Sequence, residues 1–99
     1  MSLREQVRHV LEHEWDVLRR RHGVRRIGLF GSAARGDSTE TSDVDVLVEF
    51  EGTTFDRYMD VKFLLEDRLG RHVDLVTAGS LKPRLRERVL REVEYVEGR

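Results

Sequence analysis

The run "DVDVLVEF", Asp43 to Phe50, restricts the fold more than any other stretch of the chain. Side chains alternate across a strand, so Val44, Val46, Val48 and Phe50 point one way and Asp43, Asp45, Leu47 and Glu49 the other. Its β-branched residues suit a pleated, half-buried surface. Just upstream, "VRRIGLFG" is a short apolar run closed by a glycine and reads as a second strand. The segment from Ser32 to Ser42 is small, polar and rich in turn formers, so it reads as a loop holding one helical turn.

The flanks read as helices. In "SLREQVRHVLEHEWDVLRRRHG", Leu3, Val7, Val10, Leu11, Trp15 and Leu18 recur at helical spacing. Ser2 and Glu5 are spaced as a capping box, and Gly23 is placed to end the helix. "TFDRYMDVKFLLEDRLG" is a helix with Phe55, Met59, Phe63 or Leu64, and Leu69 on its buried side and Gly70 as its stop. "HVDLVT" is a third strand. "SLKPRLRERVLREVEYVEG" is a last helix with Pro83 in its first turn and Leu81, Leu85, Val89, Val93 and Val96 facing inward. The expected order is α-β-β-α-β-α, an α+β or α/β class with a mixed sheet of three strands or slightly more and helices packed on it.

At 99 residues the chain fits one domain, 1–99, with a single core. Any function needing a second domain must borrow it from a partner. Charged residues make up 37% of the chain, yet the net charge is only -1, which argues against a nucleic-acid-coating protein. The arginines alternate with glutamates, as on a solvated helix face or a docking surface for an acidic partner. With no cysteine, disulfides and thiolate zinc sites are excluded. No secretory signal and no run near the ~20 apolar residues of a membrane span is present, so the expected location is cytoplasmic.

The chemistry gathers around the first two strands. Asp43 and Asp45 leave the same strand face and repel each other, which a cation between them would relieve. Oxygen donors beside phosphates suit magnesium. If the helix from Phe55 to Leu69 carries the chain back, the strands on either side of it run parallel and Asp74 opens beside the other two. The strand ending at Gly31 would run antiparallel to the Asp43 strand and bring Gly31 and Ser32 to the same edge. There the bare glycine admits a phosphate to the backbone, following N–H groups bind its oxygens, and the Ser32 hydroxyl adds a donor. Taken singly, a Gly-Ser pair after a strand is an ordinary turn, and Asp-x-Asp at a strand edge is ordinarily solvated or a cap. The combination is far more specific. "RGD" at Arg35 to Asp37 is weak as an adhesion signal in a chain without cysteine or signal.

"GSAARGDSTETSDVDVLVEF" followed by "HVDLV" resembles the minimal nucleotidyltransferases (MNT), a branch of the DNA polymerase β-like superfamily. Gly31, Ser32, Ala34, Arg35, Gly36, Ser42, Asp43, Asp45 and Val48 match its paired motif, and Asp74 matches its later aspartate. The resemblance implies transfer of a nucleoside monophosphate from ATP to a hydroxyl with release of pyrophosphate. In this reading Asp43, Asp45 and Asp74 are catalytic and hold two Mg2+ ions, and Asp74 helps remove the hydroxyl proton. Gly31 and Ser32 hold the β- and γ-phosphates. Arg35 either contacts phosphate or braces the loop through Asp37 or Glu40. Many minimal members are antitoxins that adenylylate a tyrosine of an all-helical HEPN ribonuclease toxin, so such a toxin is the expected partner, in a hetero-oligomer, with no direct nucleic-acid binding. The alternatives are an antitoxin that works by contact alone and a transferase acting on a small molecule.

Other residues read as structural. His9 and His13 are spaced as a metal pair but lack a third ligand nearby in sequence, and read as surface histidines. Trp15 reads as a core or interface anchor. Tyr58 and Tyr95 read as helix-face packing in preference to self-modification acceptors. Glu49 lies too far along its strand for the metal site.

Overall fold

The structure is a computed structural model and describes residues 2–39 and 42–97. Its elements are α1 (Leu3–His13), α2 (Trp15–His22), β1 (Val24–Phe30), α3 (Gly31–Arg35), β2 (Val44–Phe50), α4 (Phe55–Leu69), β3 (Val73–Thr77), α5 (Pro83–Glu92) and β4 (Glu94–Val96). One 3-10 turn, Ala78–Ser80, leads out of β3. The strands form one sheet in the order β3-β2-β1-β4. β1 is antiparallel to both β2 and β4, whereas β2 and β3 are parallel. The expected α+β class and mixed sheet are therefore observed, with four strands and five α-helices among the described residues.

The alternation of "DVDVLVEF" decides which face is buried. Val44, Val46 and Val48 are fully buried with Ile27 and Leu29 of β1 and Val73 of β3, and α1, α2 and α4 cover that face through Val7, Leu11, Leu18, Val61 and Leu65. Each such side chain contributes ~1.5–3 kcal/mol of apolar burial. The opposite face carries Phe30, Asp45 and Asp74, and α5 lies at its end against α3. Leu47 lies on that second face, yet it is fully buried.

Four sequence expectations are corrected. The first helix is interrupted at Glu14, where φ −90° and ψ 2° leave the helical region while hydrogen bonds continue on both sides. Glu14 is buried and accepts a 2.7 Å hydrogen bond from Arg68 Nε of α4, which draws the chain inward at that point. In α4 the buried residues are Val61 and Leu65, while Phe55 and Phe63 are exposed. The helix is turned so that the Tyr58 hydroxyl donates to the Leu75 carbonyl at 2.5 Å. The last helix ends at Glu92, and Glu94–Val96 leaves it to become β4, pairing Ile27 with Val96 and Leu29 with Glu94. Tyr95 accordingly lies on a strand, where Arg26 stacks 3.8 Å from its ring centre. Leu85 does not face inward; it is half exposed.

The other local signals act as read. Ser2 Oγ accepts from the Glu5 amide, although its hydroxyl meets the Glu5 carboxylate, so only half of the capping box forms. Gly23 ends α2 with φ +66°. The outer edge of β3 is occupied: Glu66 accepts from the Val73 amide, Tyr58 caps Leu75 and Ser80 caps Thr77. Such capping blunts an edge that could otherwise pair with another chain. No described helix is long and apolar enough to cross a membrane.

Candidate active site

The parallel register places Asp45 of β2 directly opposite Asp74 of β3, and the antiparallel register places Phe30 opposite Asp45 on the other side. Thus the end of β1, the start of β2 and the start of β3 meet at one sheet edge. Gly31 follows Phe30 directly and opens α3 with φ +71°. That left-handed conformation disfavours any side chain, and a Cβ on Gly31 would lie 2.2 Å from Asp45 Oδ2. The glycine is thus required twice, by its own backbone and by the carboxylate against it. Ser32 follows it in α3, partly buried.

Asp45 is perturbed by its surroundings. Burial, the charges of Asp74 and Asp43 and a hydrogen bond with Asp74 together lift the Asp45 carboxyl from 3.8 to about 6, against an opposing pull from Arg35. Asp43 contributes charge, but its carboxylate is turned outward, with Oδ2 3.3 Å from His72 Nδ1. His72 in turn lies 3.9 Å from Glu66. Asp45 and Asp74 therefore come together, while Asp43 is adjacent but engaged elsewhere. Among the described residues no three His, Asp or Glu side chains are arranged to hold a metal ion. The donor chemistry nonetheless fits a hard divalent cation: carboxylate oxygens only, with Asp45 displaced upward by burial and by the charges of Asp74 and Asp43.

Arg35 braces its surroundings. Its Nε donates to Asp37 at 3.2 Å, and its Nη1 donates to both carboxylate oxygens of Glu92 at 3.2 Å, raising the guanidinium above its ordinary value chiefly through Asp37. Of the two partners expected, Asp37 is found and Glu40 lies outside the described residues. Glu92 went unrecognised in the sequence because it is 57 residues from Arg35. Its signal was only a glutamate within an arginine-rich helix. Glu49 pairs with Arg26 at 3.6 Å, consistent with its exclusion from the acidic cluster. His9 and His13 stack with ring centres 6.1 Å apart on the exposed side of α1.

The sequence profile of the nucleotidyltransferase domain family matches residues 11–96. The chain belongs to that family. It is 45% identical over 93 residues to the protein adenylyltransferase MntA of Thermococcus cleftensis, covering 93% of this chain and 94% of that protein. A solved candidate minimal nucleotidyltransferase superposes with a TM-score of 0.76 at 45% identity, covering 95% of each chain. A toxin–antitoxin structure with AMP-PNP superposes with a TM-score of 0.71 at 25% identity, covering 89% of this chain and 73% of that one. These likenesses place the chain in the minimal branch of the nucleotidyltransferases.

Proposed function

We propose that this nucleotidyltransferase moves AMP from ATP to a tyrosine hydroxyl of a helical HEPN toxin and so acts as its antitoxin. The observation that carries the reading is the Asp45–Asp74 pair in register beside a glycine that leaves no room for a Cβ. The similarity to a protein adenylyltransferase supports a protein acceptor. The likeness to a toxin–antitoxin structure containing AMP-PNP supports both the partner and the nucleotide.

In this mechanism Asp43, Asp45 and Asp74 would together hold two Mg2+ ions. When bound, the ions polarise the attacking oxygen and offset charge on the departing pyrophosphate. Asp74 takes the proton from the acceptor hydroxyl. The Gly31 backbone and the Ser32 hydroxyl bind the β- and γ-phosphates. Arg35, held by Asp37 and Glu92, keeps the α3 loop in place. Because Asp45 carries the raised carboxyl, a cation at this corner relieves more repulsion there than at an isolated aspartate.

The test is co-expression with the helical toxin followed by intact-mass spectrometry of that toxin. The expected result is a toxin heavier by AMP, with the addition lost in Asp45→Asn and Asp43→Asn proteins that remain folded. An unmodified toxin that is still silenced would replace transfer with neutralisation by contact.

A further inference from the structure

The run "RRRHGVRR", residues 19–26, gathers its arginines where α2 hands the chain to β1. Gly23 makes that turn with φ +66°. Cations at a helix C-terminus are ordinary, because they meet the negative end of its dipole, and that accounts for Arg19, Arg20 and Arg21. It does not account for the strand. Val24 pairs with Phe50 and Arg26 with Glu49, so Arg25 is an extra residue in β1, a bulge. In a regular strand one of two neighbours turns to the core; here Arg25 and Arg26 are both exposed. We infer that this end of the molecule is a docking surface for an acidic face of the helical toxin. This rests on the antitoxin reading and gives the toxin a place to be held, apart from the place where it is modified.

The charge stays positive after local pairing. Arg19 lies 3.7 Å from Asp16 and Arg26 3.6 Å from Glu49, whereas Arg20, Arg21 and Arg25 are exposed and have no carboxylate partner among the described residues. Glu51, whose amide donates to the Gly23 carbonyl at 2.8 Å, offsets part of that charge and leaves a surplus of arginine. Arg57 donates to the Gly52 carbonyl at 2.7 Å and packs against Gly23, so the arginines are displayed on a braced turn. Arginine suits carboxylate partners, since its planar fork meets both oxygens at once. Two features favour a protein over a nucleic acid. Val17, 37% exposed, lies one turn from Arg20 and Arg21 and offers the aliphatic contact of a protein interface. The Tyr95 ring is already covered by Arg26 at 3.8 Å, so it is not free to stack a base. Position fits the role as well. β1, Val24–Phe30, spans about 20 Å at the usual strand rise, so a toxin held at its start leaves the acidic corner at its end open. That corner would repel the same acidic face, which fixes the end that engages.

The test is calorimetric titration of the full chain with the helical toxin, at low and at physiological salt, comparing wild type with the triple variant Arg20→Glu, Arg21→Glu, Arg25→Glu. The variant is expected to lose about tenfold or more in affinity, and the wild-type affinity should fall with added salt more steeply than the variant's. AMP transfer at saturating toxin should stay within about twofold, because the acidic corner is untouched. In the unmodified protein, the amide resonances of Arg20, Arg21 and Arg25 should shift on adding toxin, a readout independent of the variant's folding. Unchanged toxin affinity in the triple variant with silent amides overturns the docking surface alone, whether or not AMP is transferred. A short single-stranded RNA that binds wild type and not the variant, with toxin affinity unchanged, assigns the arginines to nucleic acid and equally overturns it. Affinity lost in the variant for a toxin that never gains AMP keeps the docking surface and overturns the transfer reading instead. A toxin that binds neither protein overturns the docking surface and the antitoxin reading together.

Discussion

Replacing Asp45 by Asn should abolish AMP transfer and make the free protein more stable. Asp45 titrates at about 6, against 3.8 for an unperturbed aspartate, so the native fold penalises its ionised form. Taken at full strength the displacement corresponds to ~3 kcal/mol. The side chain is only half-buried, and solvent screening reduces this to ~1 kcal/mol. The sign follows from proton linkage. Between 3.8 and about 6 the native state holds a proton that the unfolded state has released, so native stability falls as pH rises through that window and stays reduced above it. The neutral amide of the Asp45→Asn protein carries no charge and escapes the loss. For a domain of this size, ~1 kcal/mol moves the melting temperature by ~4–8 °C. Urea and thermal unfolding of both proteins, in chelator and at a series of pH values, measure the effect. The variant's advantage should be full above pH 6, shrink as pH falls through 6 and disappear near 3.8. A variant equal to or weaker than wild type well above that window, or an advantage independent of pH, would refute the electrostatic account of this corner.

Adding magnesium to wild-type protein should raise its melting temperature, chelator should reverse the rise, and Asp45→Asn should show neither change; thermal scans check this. Gly31→Ala should destabilise the fold by ~1–3 kcal/mol and weaken ATP binding, because the new Cβ meets Asp45 at 2.2 Å on a left-handed backbone; urea midpoints and calorimetry report the two effects. Tyr58→Phe removes the cap on the Leu75 carbonyl and should cost ~1 kcal/mol, read from the urea midpoint, with more self-association in light scattering as the β3 edge opens.

The acidic corner was legible because strand chemistry is periodic. Asp43 and Asp45 share a face by parity alone, and a returning helix of the length seen in Phe55 to Leu69 makes the next strand parallel, which brings Asp74 opposite Asp45. The orientation of the Asp43 carboxylate was not legible, since it depends on His72, which lies 29 residues later in the chain. The same holds for Glu14 with Arg68 and Arg35 with Glu92, pairs 54 and 57 residues apart. β4 was missed for a different reason. Val89, Val93 and Val96 keep a helical rhythm, and only β1 reveals that the last of them belongs to a strand. Gly28 marks the place: a Cβ there would lie 2.5 Å from the Glu94 carbonyl, so the closeness of β4 to β1 requires a glycine in the middle of β1. In α4 Leu64 and Leu69 pack against the core as read, while Phe55 and Phe63 are exposed, because bulk and hydrophobicity cannot signal where a tyrosine hydroxyl will find a carbonyl.

The division of the sheet explains how so short a chain sustains a destabilising site. One face is almost entirely Val, Leu and Ile packed under α1, α2 and α4, and it supplies the apolar burial. The charged corner sits on the other face, where the burial of Asp45 and the charges of Asp74 and Asp43 subtract from stability without disturbing that core. α5 belongs to the second face as well, and among the described residues Val89 is its only buried side chain. An element held by one apolar anchor and an ion-pair clasp, Arg35–Glu92–Arg88, can adjust more cheaply than the core helices can. The cleft it borders opens directly onto Gly31, where the phosphates would lie. Stability and chemistry are thus assigned to opposite faces of one sheet, and Gly31 is the point where a change made for one would be felt at once by the other.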